Sequence, residues 1–247
     1  MSNEGPPQLP RILKIKDSQK YYITIGNTKP KNIIRCMKWN AEFAYCVGII
    51  AADGNLSPDG RHISITSKDF EVIDNCRKCL RPSAKTAMKS RDAHEAKIYY
   101  LLQFSDVKLY RYLETIGLHP CKSKTINSVT IPLLYFRDFL RGLFDGDGSI
   151  SIFTNKVSTK SQVKMRFASA SETFLNWLKN KINTHVKISG GFVTKDSRCL
   201  SLNYGKADSI KIINFMYYDG VGFYLNRKDK TCIRASGEIG KLVSLRN

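Results

Sequence analysis

Two nine-residue stretches decide the fold: CVGIIAADG at residues 46–54 and LRGLFDGDG at residues 140–148. Both have a glycine at the third position and end in Asp-Gly, so that Asp53 and Asp147 lie 94 residues apart in matching contexts. A single Asp-Gly is an ordinary turn signal, but the same spacing after two apolar segments indicates an internal repeat. The chain is therefore predicted to contain two copies of one structural unit.

The repeat continues downstream of each stretch. SITSKDFEVI at 64–73 resembles ASASETFLNW at 168–177, and ETIGL at 114–118 resembles YYDGV at 217–221. Each copy reads as an apolar helix, two strands of alternating polarity, an amphipathic helix, two more strands and a last helix. The predicted fold class is α+β, with two pseudo-symmetric αββαββα halves built on antiparallel sheets.

The repeat also sets the predicted domain boundaries. Residues 1–39 form an N-terminal arm, 40–118 the first half, 119–135 a linker, and 136–247 the second half with a C-terminal tail. The arm contains the pattern ILKIKDSQKYYITI, which predicts a short hairpin that is either an added clamp on a ligand or a structural flap. The second copy carries nine extra residues in a lysine-rich hairpin region after its Asp-Gly, where an insertion is expected at the surface.

Each apolar motif helix carries small residues four apart on one face. These are Gly48 and Ala52 in the first helix, and Gly142 and Gly146 in the second. Small residues at this spacing let helix backbones approach closely, so we predict that the halves pack through these first helices about an approximate two-fold axis. Asp53 and Asp147 then become neighbours at the helix ends, each followed by a glycine expected to adopt a left-handed C-cap.

The composition limits the classes of function. The chain has 247 residues, is 42% hydrophobic, and carries 40 Lys and Arg against 21 Asp and Glu, a formal net charge of +19. That charge favours a polyanionic partner such as nucleic acid, and no apolar run reaches the ~18 residues of a membrane span, so no membrane partner is expected. Seven scattered cysteines fit reduced thiols and an intracellular location of unknown compartment. The pair Cys76 and Cys79 lacks a second pair for zinc and is interpreted as core.

The two aspartates suggest metal chemistry. A carboxylate at a helix C-terminus faces the negative end of the helix dipole, and two adjacent carboxylates repel each other, so a positive partner is expected. Hard divalent cations prefer carboxylate oxygens, and such cations activate water and stabilise the leaving oxygen of a phosphodiester. Asp53 and Asp147 on a strongly basic chain therefore indicate metal-assisted phosphodiester hydrolysis.

Over about residues 40–230 the sequence resembles the LAGLIDADG homing endonucleases that carry two motifs in one chain. The resemblance implies an intron-homing enzyme that works as a monomer, with motif helices between the halves and sheets that form a saddle over double-stranded DNA. It also implies that Asp53 and Asp147, with the backbone of Ala52 and Gly146, bind the catalytic metal. Mg²⁺ is the expected ion, with Mn²⁺ substituting and Ca²⁺ binding without efficient cleavage.

One motif position differs between the copies. The sixth position is Asp145 in the second copy and Ala51 in the first, a difference expected to affect helix capping more than chemistry. At the second-strand position where relatives often have Gln or Lys, this chain has Ser67 and Ala170. The resemblance therefore leaves open how solvent is ordered at the site.

The resemblance further implies a basic residue near each scissile phosphate, after the last helix of each half. KSK at residues 122–124 and RK at 227–228 occupy these stretches. We expect Lys122 and Lys228 to polarise the phosphate or the attacking water, with Lys124 and Arg227 close by. Each of these residues could equally serve as a contact to the phosphate backbone.

Polar side chains on the predicted strands are the candidate DNA contacts, because a β-ribbon in the major groove meets a distinct pattern on each base pair. In the first copy they are Asn55, Ser57, Arg61, Ser64, Thr66, Lys85, Lys89, Arg91 and Lys97. In the second they are Ser149, Ser151, Thr154, Lys156, Lys160, Lys164, Arg166, Lys187, Lys195, Arg198, Ser201 and Asn203. Two unlike halves predict a non-palindromic target of roughly 20 bp.

Two other functions stay open on the same fold. The chain could be an RNA maturase that binds the transcript of the intron encoding it, or a sequence-specific DNA-binding regulator. The intact pair of Asp53 and Asp147 argues against binding alone, but it does not exclude a second function.

Overall fold

A computed structural model describes residues 11–14, 21–24, 37–80, 86–90, 98–154, 161–195 and 199–244. Side chains are not described in the strands 11–14, 21–24 and 86–90 or at 238–244. The contacts divide the chain into residues 1–38 and 39–247. In the first unit, strands β1 (Arg11–Lys14) and β2 (Tyr21–Thr24) pair antiparallel, so the predicted hairpin strands are present.

The first half of the larger unit begins at a capped helix. The Asn40 side chain accepts a hydrogen bond from the Phe43 amide at 2.7 Å, which satisfies one of the free amides at the helix start. The elements are α1 (Ala41–Asp53), β3 (Gly54–Leu56), β4 (His62–Ser67), α2 (Phe70–Leu80), β5 (Thr86–Ser90), β6 (Ile98–Ser105) and α3 (Val107–Thr115). Their sheet has the order β3-β4-β6-β5 and is antiparallel.

The second half repeats this plan after two short 3₁₀ turns at Lys122–Lys124 and Leu133–Tyr135. Its elements are α4 (Phe136–Asp147), β7 (Gly148–Thr154), β8 (Ser161–Ser169), α5 (Glu172–Val186), β9 (Phe192–Lys195), β10 (Leu200–Tyr204) and α6 (Lys206–Met216). The sheet order is β7-β8-β10-β9, again antiparallel. The α+β fold with two αββαββα halves is therefore confirmed.

A final helix was not predicted. The segment expected to be a C-terminal tail contains α7 (Asn226–Ser244). Cys232 and Ala235 on this helix are buried, so α7 packs on the body of the protein. None of the helices in the described ranges is long and apolar enough to cross a membrane.

The two sheets share one register, which makes their positions directly comparable. Gly54 pairs with Ile65 in the first sheet, and Gly148 pairs with Phe167 in the second. The halves therefore enter their sheets from the motif helices in the same way.

The motif helices α1 and α4 pack against each other at backbone distance. A Cβ added to Gly48 would lie 2.7 Å from the Leu143 amide nitrogen, and one added to Gly142 would lie 2.9 Å from the Tyr45 carbonyl carbon. Real Cβ atoms do not approach backbone so closely, so only glycine fits at either position. The halves are joined through their first helices, as the fold prediction required.

The glycines that follow the motif aspartates differ from prediction. Gly54 has φ −81° and Gly148 has φ −83°, both extended rather than left-handed, because the chain passes directly from helix into strand. Glycine is needed at both positions because the preceding helical turn leaves no room for a Cβ atom. A Cβ on Gly54 would lie 2.6 Å from the Ile50 Cα, and one on Gly148 would lie 2.5 Å from the Phe144 carbonyl oxygen.

A fully buried arginine anchors the segment after α6 to the second motif helix. Arg141 forms an ion pair with Asp138 at 2.9 Å and donates to the carbonyl oxygens of Phe223 at 2.7 Å and Met216 at 2.9 Å. The Tyr218 hydroxyl donates to the same Asp138 carboxylate. These bonds satisfy the buried charges and fix residues 216–223, the approach to α7.

Candidate functional site

The carboxylates of Asp53 and Asp147 stand at the C-terminal ends of α1 and α4. The Asp53 side chain crosses toward the other half, because its Oδ2 atom lies 3.3 Å from where a Cβ on Gly146 would be. Asp53 is exposed and Asp147 is half-buried. The packing of the motif helices therefore brings the two predicted acids to one place that solvent still reaches.

The surroundings disfavour the charged form of both acids. Burial, and after it the negative charge of Asp53, raise the pKa of Asp147 to about 6, although the charges of Lys122 and Lys228 partly offset both effects. Asp53 keeps part of its surface in solvent, but the protein atoms packed around its carboxylate desolvate it and so raise its pKa, against the lowering effect of Lys228 and Lys122. Two acids that share one site in this way attract a cation.

Binding of a divalent cation is expected to weaken as the pH falls through about 6, because protonated Asp147 is no longer a ligand. An aspartate with an ordinary pKa near 3.8 would bind the cation without loss of affinity until the pH had fallen about two units further. Mn²⁺ titrations at pH 5.0, 6.0 and 7.0 check this, with the largest loss of affinity between 6.0 and 5.0. A pH-independent affinity from 5 to 7 would contradict the raised pKa.

Lys122 lies in the 3₁₀ turn after α3, where its side chain is almost completely buried. Its ammonium group donates a hydrogen bond to the carbonyl oxygen of Gly54, the residue after the first motif aspartate. Burial lowers the pKa of Lys122, while the charges of Asp147 and Asp53 act in the opposite direction. The structure thus places this predicted residue beside the acid pair.

Lys228 occupies the corresponding position in the second half, in the first turn of α7. Its ammonium group donates to the carbonyl oxygens of Asp145 at 2.8 Å, Gly148 at 2.7 Å and Phe144. Burial lowers the pKa of Lys228 to about 8. An ammonium group has three N–H donors, so all of them are used within the protein.

The two lysines are therefore related by the repeat but are not equivalent. Lys122 has one carbonyl acceptor and Lys228 has three. Lys122 keeps donors that a phosphate or a water molecule can accept, whereas the donors of Lys228 are all bonded to backbone carbonyls, so that Lys228 offers a ligand only its positive charge. Sequence comparison of the halves could not show this difference, since it depends on carbonyl groups more than 60 residues away.

Arg227 lies in the predicted stretch but forms a contact that was not predicted. Its guanidinium forms a two-bond ion pair with the Asp69 carboxylate, with Nε–Oδ1 2.8 Å and Nη2–Oδ2 2.7 Å. Asp69 precedes α2, so this pair ties the first half to α7. This link between halves was not predicted, while the contacts of Arg227 and of the exposed Lys124 to phosphate stay predictions.

Asp145 also differs from its predicted role in helix capping. The buried carboxylate accepts hydrogen bonds from the Tyr45 hydroxyl at 2.9 Å and from the Leu225 amide at 2.8 Å. Asp145 thus connects α4 with α1 and with Leu225, which lies just before α7 and three residues before Lys228. Burial raises the pKa of Asp145 to about 6. No local sequence pattern reveals partners that are 80 and 100 residues away.

The donor set fits a hard divalent cation. Among the described residues no group of three or more His, Cys, Asp and Glu side chains could hold a metal, so a resident ion would depend on the two carboxylates with backbone carbonyls and water. Mg²⁺ and Ca²⁺ accept such oxygen ligands and retain water. Ala52 and Gly146 directly precede the two aspartates and lie against each other where the helices end.

The predicted DNA contacts on the first sheet lie partly on one polar face. Asn55 pairs with Ser64, which pairs with Gln103, so these three side chains share a face with Thr66. Ser57 continues this face into the turn, where Arg61 forms an ion pair with Asp59 at 3.6 Å. Gln103 was missed because its strand was not assigned in detail from sequence.

The second sheet has a more basic polar face. Ser149 pairs with Arg166, which pairs with Asn203, which pairs with Phe192, so the four residues form one row across the sheet. Ser151 pairs with Lys164 in a neighbouring row. Cross-strand partners share a face, so the predicted cations Lys164 and Arg166 lie together at its centre.

Five predicted contacts of the second half are placed differently. The side chains of Ser201 and Asn203 are buried, and the Asn203 amide donates hydrogen bonds to the Thr194 hydroxyl and the Ser201 carbonyl, both at 2.8 Å. Lys187 is the left-handed C-cap of α5. Lys195 pairs with Leu200, and Thr154 lies two positions after Ile152 on the same strand. Both side chains therefore lie on the apolar face of the sheet.

The remaining predicted contacts fall outside the described residues or side chains. They are Lys85, Lys89, Arg91, Lys97, Lys156, Lys160 and Arg198. The structure therefore assigns no position to their side chains.

Comparison with known proteins gives the same fold. A family model described as a LAGLIDADG-like domain matches residues 135–189. The N-terminal LAGLIDADG domain of DUF199/WhiA is similar with a TM-score of 0.51 and 18% identity over 80% of this chain and 90% of that chain. The LAGLIDADG homing endonuclease I-GzeII, solved in complex with its DNA target, is similar with a TM-score of 0.51 and 12% identity over 84% and 91%.

The meganuclease I-SmaMI, solved with uncleaveable DNA, has a TM-score of 0.52 and 13% identity over 85% of this chain and 96% of that chain. No curated protein sequence matches the chain significantly. At these identities the likeness to solved structures is one of fold, and the family model adds a match in the second half. The chain therefore has the two-half LAGLIDADG fold, with a LAGLIDADG-like domain at residues 135–189.

Proposed function

We propose that the protein is a metal-dependent endonuclease of the homing type that acts as a monomer on double-stranded DNA. It hydrolyses phosphodiesters at a long non-palindromic site of roughly 20 bp. The observation that carries this proposal is the meeting of Asp53 and Asp147 at the ends of two packed helices, flanked by the buried lysines Lys122 and Lys228.

The charge and the sheet faces support DNA as the substrate. The chain has a formal net charge of +19, and the polar face of the second sheet carries Lys164 and Arg166. Cationic side chains on such a face neutralise phosphates and release counterions. Two proteins with the same fold, I-GzeII and I-SmaMI, were solved in complexes with DNA.

Asp53 and Asp147, with the carbonyl oxygens of Ala52 and Gly146, would hold the cation. Mg²⁺ bound there would supply Lewis-acid stabilisation of charge on the reacting phosphate. The chain's own residues orient these ligands, since the glycine contacts between α1 and α4 fix the distance between the two helix ends. Lys122 offers N–H donors to the phosphate or the attacking water, and Lys228 fixes the turn after Asp147 through three carbonyls.

The two lysines are expected to respond differently to replacement by methionine. Lys122→Met should lower cleavage on the order of 10²-fold, because a positioned donor is lost. Lys228→Met should lower the free energy of unfolding by about 1–3 kcal/mol, because the three backbone carbonyls that accept from the buried Lys228 lose their donor. Single-turnover cleavage and urea unfolding measure the two effects. Equal destabilisation by both variants, with cleavage unchanged in Lys122→Met, would contradict these roles.

A cleavage selection tests the proposed function. A plasmid library with randomised 24-bp inserts is incubated with the protein and Mg²⁺, Mn²⁺ or Ca²⁺, and cut ends are captured and sequenced. Cut ends that share one sequence with Mg²⁺ or Mn²⁺, but are rare with Ca²⁺, are expected. No enrichment of cut ends with any of these metals would overturn the nuclease proposal.

The likeness in fold to the WhiA domain supports a second candidate, a DNA-binding regulator without cleavage. The same library tests this candidate. If the protein selectively retains one duplex sequence and no cut ends appear, the result favours the regulator. The maturase remains a prediction from the sequence. Selective binding of the intron transcript, measured against an unrelated RNA of equal length, would support it.

A further inference from the structure

We propose that Phe153 and Phe192, on the polar face of the second sheet, contact thymine methyl groups in the half-site bound by the second half. This inference rests on the proposed function and adds to it the residues that determine sequence preference. The second sheet would thus recognise the sequence of its half-site partly through apolar contacts to bases.

The two phenylalanines are half exposed among polar neighbours. Phe153 is 50% exposed and Phe192 is 53% exposed. Scattered exposed apolar residues are common on proteins, but these two lie on β7 and β9, the two outer strands of one sheet. Their position on one face, rather than their exposure alone, indicates a shared partner.

Strand register places both rings on the same face as the cations. Phe192 lies in the row with Arg166, and Phe153 pairs with Gln162 two positions from the pair of Ser151 and Lys164. Side chains two apart on a strand point to the same face. The face therefore combines two cations at its centre with an aromatic ring on each outer strand.

This combination matches the major groove of duplex DNA. The phosphates that border the groove attract Lys164 and Arg166, and arginine forms paired hydrogen bonds with guanine. The C5-methyl group of thymine is the apolar feature that a base pair shows in this groove, and phenylalanine is among the side chains that contact it. An aromatic ring on a DNA-facing sheet therefore favours thymine over the other bases.

Within the described residues of the first half, the positions that match the two cations and Phe153 differ from those of the second half. By register, Ser64 corresponds to Arg166 and His62 to Lys164. Strand β3 ends at Leu56 and turns back, so no residue corresponds to Phe153. The thymine dependence that Phe153 and Phe192 confer is accordingly expected in the half-site bound by the second half.

The rings are also separated from the proposed metal site. Phe153 is six residues from Asp147 along an extended strand, which is about 20 Å at ~3.3 Å per residue. Changes at Phe153 should therefore alter binding preference without changing the groups proposed for hydrolysis.

The experiment starts from a duplex selected from the random library by binding in Ca²⁺. Each thymine of the selected sequence is replaced in turn by deoxyuridine, which removes only the methyl group, and the dissociation constant is measured. At least one thymine in one half-site is expected to lose about fourfold in affinity, which corresponds to ~0.8 kcal/mol for one buried methyl group. Phe153→Ala or Phe192→Ala should bind the thymine and uracil duplexes equally.

Leu134→Ala is the matched control, because Leu134 is 67% exposed in the turn before α4 and lies on neither sheet. It should keep the fourfold preference for thymine. Equal binding of all uracil duplexes by the wild-type protein would overturn the inference, as would a thymine preference that survives in both phenylalanine variants. Failure to select any duplex would instead count against the proposed function.

Loss of single-stranded RNA or DNA binding in the phenylalanine variants, with duplex binding unchanged, would also overturn the inference. That result would assign the rings to base stacking on unpaired strands. Poly(U) and poly(dT) oligonucleotides are the probes for this arm.

Discussion

Replacement of Asp53 or Asp147 by asparagine is expected to reduce cleavage of both DNA strands by at least about 10³-fold. The carboxylates are the proposed cation ligands, and loss of the cation removes several kcal/mol of transition-state stabilisation. Affinity for DNA should change little, because the basic side chains supply most of it. Single-turnover cleavage of the selected duplex, together with its dissociation constant in Ca²⁺-free buffer, measures both quantities.

Asp74→Asn is the matched control for this experiment. Asp74 lies on the surface of α2 and pairs with Lys78 at 2.7 Å and Arg77 at 2.9 Å, so the variant removes one negative charge away from the motif helices. It should cleave at the wild-type rate. Full cleavage by both site variants would remove the two aspartates from the mechanism.

The Asp147→Asn variant should also be folded and slightly more stable at pH 7. The pKa of Asp147 is raised to about 6 by burial and by Asp53, so the ionised carboxylate opposes folding above that pH and asparagine relieves this cost. The advantage should be on the order of 1 kcal/mol after solvent screening. It should shrink as the pH falls through about 6 toward 4, where the native carboxyl is already protonated.

Replacement of Gly142 by valine is expected to give the largest loss of stability, about 3 kcal/mol or more. An added Cβ would overlap the Tyr45 carbonyl oxygen and lie 2.9 Å from the carbonyl carbon. Backbone atoms of a buried helix cannot move aside as a flexible side chain can, so the two halves must separate. Such a loss is a large part of the 5–15 kcal/mol typical of a folded domain.

Gly237→Ala provides the comparison for Gly142→Val. Gly237 lies on α7 with no atom within 4 Å of an added Cβ, so alanine should raise the free energy of unfolding by about 0.5–1 kcal/mol. Urea unfolding measures the free energy of unfolding of both variants, which should fall in Gly142→Val and rise in Gly237→Ala. A Gly142→Val protein as stable as wild type would show that the helices do not meet at this point.

The sequence was sufficient to predict the fold and the acid pair, because both depend on patterns that recur in the chain. The small residues of the motif helices and the position of Asp53 and Asp147 follow from spacing alone. Alternation of polarity located the strands, and therefore Lys164 and Arg166 on a polar face. Repetition made each of these predictions stronger than either copy would be by itself.

The predictions that differed concern contacts between distant segments. Asp145 was expected to act locally, yet its partners come from α1 and from the start of α7. Arg227 was predicted as a DNA contact, but its ion pair with Asp69, which lies 158 positions away in sequence and binds one edge of the guanidinium, was not foreseen. Such pairings arise from packing of the two halves and leave no periodic signal in the chain.

Burial was likewise not readable from alternation. Ser201 and Asn203 have the correct phase for the polar face, but both are buried on the inner strand β10. Alternation predicts which face a side chain occupies, but it does not predict which neighbours that side chain meets there, because the strand pairing is not part of the alternation. The same reason hid Phe192, whose place in the row of Arg166 depends on three strand pairings.

Anomalous diffraction from crystals of the DNA complex grown with Mn²⁺ tests the central proposal most directly. We predict Mn²⁺ density where α1 and α4 end, within about 2.0–2.4 Å of carboxylate oxygens of both Asp53 and Asp147. Mn²⁺ density away from both carboxylates, or no density between the helix ends and the DNA backbone, would contradict it.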